Sequence, residues 1–376
     1  MRIYFDNAST TPLLPEVIET MHEAMSMHHG NPSSIHAHGR QARSMIESAR
    51  KVVAKSLNAS IGEIFFTSCA TEAHNFFLTA SITHLGRSVI IYSSIEHHCI
   101  FHTAEHLQKE HGIKTIVIPV DDEGSLDMDA LVESLQAYGK EAVVSIMHGN
   151  NEIGIINDIS SIGELCKEYG ALFHCDTVQT IGKLPIDVQA LNIDFLAGSA
   201  HKFFGPKGIG FMYLNGDLKL PPMLYGGSQE RNMRSGTENV YGICGLAKAL
   251  EIANVEMEDR KGKITEIKEH FIKRIKEEFD DIKINGSEDG LYHILNLSFP
   301  PGPKADLIMF NLDIMGISAS SGSACSSGVA LDSHVMQAIN HPTDRKAVRF
   351  SFSHFNTIEE VDYTIDQLKK ITPALV

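Results

Sequence analysis

Basic residues are scarce in this chain: 32 Lys and Arg stand against 47 Asp and Glu over 376 residues, a formal net charge of −15. Such a surface repels phosphate backbones, so no general nucleic-acid binding is expected. Cysteine is sparse as well. The six thiols, Cys69, Cys99, Cys166, Cys175, Cys244 and Cys325, form no C-x-x-C pair, which argues against a disulfide framework and against structural zinc. Long apolar runs are missing; nothing approaches the roughly 18 residues a membrane helix needs. The opening MRIYFDNAST turns polar too soon for a secretory signal. The expectation is a soluble cytoplasmic protein with no membrane association.

What is present is enough apolar material for a large core, 43% of residues, at a length that suits two domains or one large one. Short apolar segments rich in β-branched residues recur at 63–68, 88–94, 114–120, 142–147, 171–176, 194–199 and 208–214. Between them, helical periodicity occupies 33–57, 70–84, 97–111, 127–137 and 159–169. This alternation predicts a mostly parallel seven-stranded sheet covered by helices on both faces. The last two strands share a short Gly-rich connection, so one antiparallel edge strand is expected. From about residue 245 one long charged helix leads into a smaller α+β unit, with strands at 296–299, 317–320 and 348–352 and helices near 304–314 and 357–371.

Ligands of such a sheet bind outside the carboxyl ends of its strands. A helix opening near Ala70 and Thr71 offers free N–H groups, which suit a phosphate or are simply capped. ALFHCD delivers Asp176 to the same rim, with Gln179 three residues later. DFLAGSAHK delivers Ser199, His201 and Lys202. A lysine held in a partly desolvated pocket loses its proton readily and condenses with an aldehyde; a solvated loop lysine is the plainer alternative. SSGSACSSG cannot pack a core, so Cys325 is expected on a mobile surface loop. His98, His102 and His106 share a helix face, but no acid or cysteine completes a ligand set, and no metal is expected.

The segment SAHKFFGPKGIG resembles the cofactor-lysine segment of the cysteine desulfurases, within the class V aminotransferase group of pyridoxal-phosphate enzymes. YFDNASTTP, GNPSSIHAHGRQAR, TSCATEAHN, EHHCI, SIMHGNNEIG, HCDTVQTIGKLPID, GGSQERNMRSGTEN, SSGSACSSG and VRFSFSHF are similar in the same order. The resemblance implies fold type I of the pyridoxal-phosphate transferases, with a large domain over 13–256 and a small one from 1–12 and 257–376 that carries a cysteine loop near 320–330. It implies conversion of L-cysteine to L-alanine, with the sulfur passed as a persulfide on Cys325 to an acceptor protein for iron–sulfur or other sulfur cofactors. Lys202 would form the Schiff base and move protons, with Asp176 pairing with the pyridine N–H and His97 stacking on the ring. Gln179 would bond the ring hydroxyl. Ala70, Thr71, Ser199 and His201 would hold the phosphate, joined by Thr237 from the neighbouring subunit of a homodimer. Asn151 and Arg349 would bind the substrate carboxylate. Selenocysteine lyase, transaminase and a non-catalytic cofactor-binding scaffold are the alternatives. Cys69 departs from the family's usual glycine, which puts the backbone of the phosphate loop in question.

Overall fold

The computed structural model describes residues 2–302, 305–321 and 333–371. In chain order the first elements are β1 (Ile3–Tyr4), α1 (Pro15–Met27), α2 (Ala37–Leu57), β2 (Ile64–Thr67), α3 (Ala70–Thr83), β3 (Val89–Ser93), α4 (His98–His111) and β4 (Lys114–Ile118). There follow α5 (Met128–Tyr138), β5 (Ala142–Ser145), α6 (Ile159–Tyr169), β6 (Leu172–Asp176), β7 (Phe195–Ser199) and β8 (Gly210–Leu214). The remainder comprises α7 (Val240–Val255), α8 (Met257–Glu278), β9 (Lys283–Asn285), β10 (Ile294–Phe299), α9 (Ile308–Ile314), β11 (Ile317–Ser318), α10 (His334–Ala338), β12 (Lys346–Ser351) and α11 (Ile358–Ile371).

Seven strands form one sheet in the order β2-β8-β7-β6-β5-β3-β4. Every residue of β2, β3, β5, β6, β7 and β8 is buried, as expected where helices cover both faces. β4 is an edge, and it carries exposed Lys114 and Val117 there, a charge that discourages further pairing. β8 runs antiparallel to both neighbours, β7 and β2. It is therefore not the edge strand its short connection suggested. β2, contributed from far earlier in the chain, covers it and satisfies its outer hydrogen bonds. The chain moves from β3 out to β4 and then back to β5 on the other side of β3, so the strand order reverses there and opens a crevice at the carboxyl ends.

The long helix expected after residue 245 is two helices. Glu256 closes α7 and opens α8 with φ −97° and ψ 9°, and its carboxylate accepts from Arg260 Nε at 2.8 Å. The two segments serve different cores. α7 packs against α1 and α2 beside the large sheet. α8 buries Ile264, Ile267, Phe271 and Ile275 in a second core with the β12-β10-β9 sheet and α11. Phe5 joins that second core, edge-on to Phe271, Phe350 and Phe352. Immediately afterwards the N-terminal segment crosses toward the large sheet, where Thr11 N–H donates to His201 O at 2.9 Å. It thus passes over the carboxyl end of β7.

One buried ion pair ties α2 to the segment before α7. Arg50 meets Glu230 through two hydrogen bonds of 2.7 and 2.8 Å, and Glu230 also accepts from Phe66 N–H at 2.8 Å. Both side chains are almost completely buried. Removing Glu230 leaves buried Arg50 with only the half-exposed Glu47 carboxylate at 3.3 Å as counter-charge among the described residues, so Glu230→Leu destabilises the fold by about 3–5 kcal/mol. Urea unfolding measures it; a loss below about 1 kcal/mol would mean that Glu47 or water suffices for Arg50.

Candidate active site

Where the sheet's carboxyl ends meet the N-terminal segment lies a cavity of about 320 Å³. Ala8, Ser9, Ala70, Thr71, His97, Asn151, Asp176, Gln179, Ser199, His201, Lys202 and Arg349 all line it. The structure therefore brings together ten of the site residues expected from sequence, from segments spread along most of the chain. Thr237 is not among them. It is exposed and lines a separate cleft with Glu230, Arg234 and Asn239. Cys325 lies outside the described residues.

Lys202 follows β7 in a short turn, and its Nζ donates to Ala8 O at 2.7 Å and Ser9 O at 2.8 Å. The stem is thus aimed by the N-terminal segment. Lys183 braces the same turn by donating to Lys202 O at 3.0 Å and Gln179 O at 3.1 Å. Burial, helped by the nearby charge of Lys202, draws the Lys183 ammonium down to about 7. His201 bonds Thr10 Oγ1 at 3.2 Å, and burial beside Lys202 lowers it to about 4, so its ring is neutral.

Asp176 ends β6 and is buried. Burial alone would raise its pKa, but His74 at 3.4 Å and the Val178 N–H at 2.9 Å outweigh that and hold it well below the usual carboxylate range. It is an anion at neutral pH. His97 is the N-cap of α4, with Nδ1 accepting from Cys99 N–H at 3.2 Å. Burial is the largest influence on its ring and keeps it below the ordinary imidazole value. A neutral, flat ring therefore faces the cavity beside a buried carboxylate.

The N-terminus of α3 supplies a different kind of group. Its N-cap residue, Cys69, gives no side-chain cap, and among the described residues only Ser199 Oγ approaches, accepting from Ala70 N–H at 2.9 Å. An uncapped 14-residue helix pointing at the cavity suits an anion. Cys69 has φ −171°, an extended conformation open to any residue, so the backbone has no need of glycine there. The close approach is supplied from the facing strand. A Cβ on Gly210 would come within 3.0 Å of the Cys69 Cα. Cys69 and Cys99 both line the cavity.

Arg349 leaves β12 almost wholly buried. Its Nη1 donates to Asn151 O at 2.8 Å, and Nη2 to Asp6 Oδ1 at 2.8 Å and Ser9 Oγ at 2.7 Å. Its Nε is buried with no hydrogen-bond partner among the described residues. One donor of a fixed guanidinium fork is thus unspent beside the cavity. Gln179 Nε2 donates to Ala8 O at 3.0 Å.

The aminotransferase class-V family matches residues 3–364. The chain belongs to this family. It is 40% identical over 380 residues to the cysteine desulfurase IscS of Dictyoglomus turgidum, covering 99% of this chain and 95% of that one. Identity with the putative cysteine desulfurase IscS 1 of Bacillus subtilis is 41% over 382 residues, 99% of this chain and all of the relative. Among solved structures, a NifS-like protein superposes with a TM-score of 0.90 at 35% identity, covering 99% of each chain. The apo structure of the cysteine desulfurase from Thermococcus onnurineus does so with a TM-score of 0.87 at 26% identity, covering 99% of this chain and 94% of that one. The family is pyridoxal-phosphate dependent.

Sequence reasoning missed several contributors. Asp6, Ala8 and Ser9 sit within YFDNASTTP, yet no feature of that segment announces that its carbonyls hold Lys202. Glu96, Glu152 and His334 also line the cavity. Ser333 Oγ donates to Glu152 at 2.6 Å, and His334 Nε2 bonds Glu96 O at 2.8 Å. His98 and His102 stack at 5.6 Å and His102 pairs with exposed Glu105. Of the three histidines on that helix face, His98 is half-buried, lines the cavity and packs edge-on to His334 at 4.6 Å, whereas His102 and His106 are exposed.

Proposed function

We propose that this protein is a pyridoxal-phosphate-dependent cysteine desulfurase, taking L-cysteine to L-alanine and handing its sulfur to an acceptor protein for iron–sulfur cluster assembly. The observation that carries the reading is one cavity holding an aimed lysine, a buried anionic Asp176, a neutral His97 and an uncapped helix N-terminus. These residues fit the cofactor: the helix start of α3 with Thr71, Ser199 and His201 for its phosphate, Asp176 for a protonated ring nitrogen, and His97 for the ring face. Gln179 serves the ring hydroxyl. When bound, pyridoxal phosphate supplies an electron sink for negative charge at the substrate Cα.

The chain's own residues do the rest. Lys202 Nζ takes the Cα proton and returns a proton. Asp176 stays charged and accepts a hydrogen bond. Arg349 and Asn151 orient the substrate carboxylate, Arg349 through the Nε–H that has no partner among the described residues, held in place by the bonds its other nitrogens make. Thr237, exposed and turned to a separate cleft, reaches the phosphate site of a second copy, which makes the working unit a homodimer. Reduced, buried Cys166, Cys175 and Cys244 fit a cytoplasmic home.

The test is stoichiometry. Loaded protein given L-cysteine and a thiol forms alanine and sulfide one for one with no keto-acid requirement; dependence on a keto acid would make it a transaminase instead. Arg349→Lys raises KM for L-cysteine by about 10- to 100-fold, the value of one or two charged hydrogen bonds, with a smaller change in kcat. An unchanged KM would remove Arg349 from substrate binding.

A further inference from the structure

Behind Asp176 runs a line of buried polar groups that none of the steps above uses. His74 of α3 presents Nε2 at 3.4 Å from Asp176 Oδ2. Its Nδ1 lies 2.8 Å from His174 Nε2, and His174 Nδ1 lies 2.8 Å from Ser145 Oγ. The topology explains the alignment. His174 and Asp176 are two residues apart on β6 and share a face, Ser145 is the register partner of His174 on β5, and α3 lays His74 against them. All three side chains are buried. His174 packs beside the stacked pair of Phe77 and Phe195, its ring 5.6 and 5.1 Å from theirs.

The two ends of the line have fixed charge states. Burial first, then neighbouring His74, holds His174 far below the ordinary imidazole value, so it is neutral with a single N–H. An ionised Asp176 only accepts. His74 therefore stands between the carboxylate and His174, its Nε2 at ion-pair distance from Asp176 and its Nδ1 sharing one proton with His174 Nε2, while the Ser145 hydroxyl closes the line at His174 Nδ1. The other titratable groups facing Asp176 are Glu96, His97 and Cys99 at the start of α4, and Cys175 on β6. Lys202 lies on the same cavity wall. None of these makes a contact with the Asp176 carboxylate as direct as that of His74 and the Val178 N–H.

We propose that His74, backed by His174 and Ser145, is a positioning residue that fixes the orientation and charge of Asp176 and, resting on the function proposed above, the protonation of the cofactor's ring nitrogen. With His74 removed, desolvation, the largest influence on Asp176, is opposed only by the Val178 N–H and by His97, so the carboxylate loses its main support. The expected signature is a dependence on pH rather than a uniform loss.

The experiment compares wild type, His74→Ala, His74→Gln and Ser145→Ala as full chains, stripped of pyridoxal phosphate and reloaded. The wild-type carboxylate is depressed from an ordinary 3.8, so its stabilisation is present above that value and fades only as pH falls below it. In His74→Ala the buried carboxyl is raised instead and takes up a proton on acidification. The stability deficit of His74→Ala against wild type in cofactor-free protein is therefore full at neutral pH and shrinks as pH falls toward the carboxylate range. In reloaded protein the pH midpoint of the bound cofactor's visible absorption moves by about one unit or more. His74→Gln, which keeps one N–H toward Asp176, restores most of both. Should His74→Ala fail to fold, Ser145→Ala removes only a hydroxyl and shows smaller changes of the same sign. A deficit equal at every pH with an unmoved midpoint would reduce His74 to packing and overturn the proposal. Wild type that stays colourless on reloading sinks the functional reading, while the cofactor-free comparison still judges the relay.

Discussion

Lys202→Ala turns over no L-cysteine, its rate falling by about 10³-fold or more, the scale of losing a positioned proton-transfer group. The physical argument begins with the two carbonyls. Ala8 O and Ser9 O hold Nζ at 2.7 and 2.8 Å, so the amine is delivered at a fixed point of the cavity wall. Lys183, drawn down to about 7 chiefly by burial, steadies the backbone of the same turn. Alanine removes the amine and leaves both carbonyls to water. Lys202→Arg is the sharper control. Guanidinium keeps the charge and the donors but does not deprotonate or condense with an aldehyde. Both variants should unfold close to wild type in thermal melts while neither is labelled by borohydride after reloading. Turnover in Lys202→Arg at even a tenth of wild type would show that another group carries the chemistry.

Much of this site was legible because its residues stand at the ends of strands buried on both faces, where apolar runs stop abruptly at polar residues. FHCD stops at Asp176 and FLAGS at Ser199, and the structure ends β6 and β7 at those residues. The rest depended on contacts between distant parts of the chain. β8 looked like an edge because its neighbour β2 is contributed about 140 residues earlier in the chain. The helix read from residue 33 starts at Ala37, since His36 turns to accept Gly39 N–H and caps it. α1 went unread although Pro15 and Glu16 mark its start. His74 gave no signal, because a histidine on an apolar helix face looks the same whether it fills space or orients a carboxylate. Only the packing of α3 on β6, which sets Nε2 3.4 Å from Asp176, reveals what it faces.

Cys325→Ser keeps the colour of the loaded protein and its spectral response to L-cysteine but forms no protein persulfide, a loss of about 10²-fold or more for removal of a nucleophile. Cys325 lies outside the described residues, so its case rests on the other thiols. Burial raises Cys99, Cys166 and Cys175 far into the range of a protonated thiol, and raises Cys244 to about 11. A thiol attacks as its thiolate, which removes these four as acceptors of sulfur. Cys69 is the rival, since it lines the cavity. The transfer needs no outside oxidant. A thiolate attacks the substrate sulfur, the S–S bond forms as the Cβ–S bond breaks, and the electron pair left on carbon takes a proton on the way to alanine. Serine has no sulfur to form the disulfide-like bond. Persulfide labelling of Cys325→Ser beside Cys69→Ala decides between the two: label lost in the first and kept in the second is the expected result, and the reverse pattern would assign the sulfur to the cysteine at the head of α3.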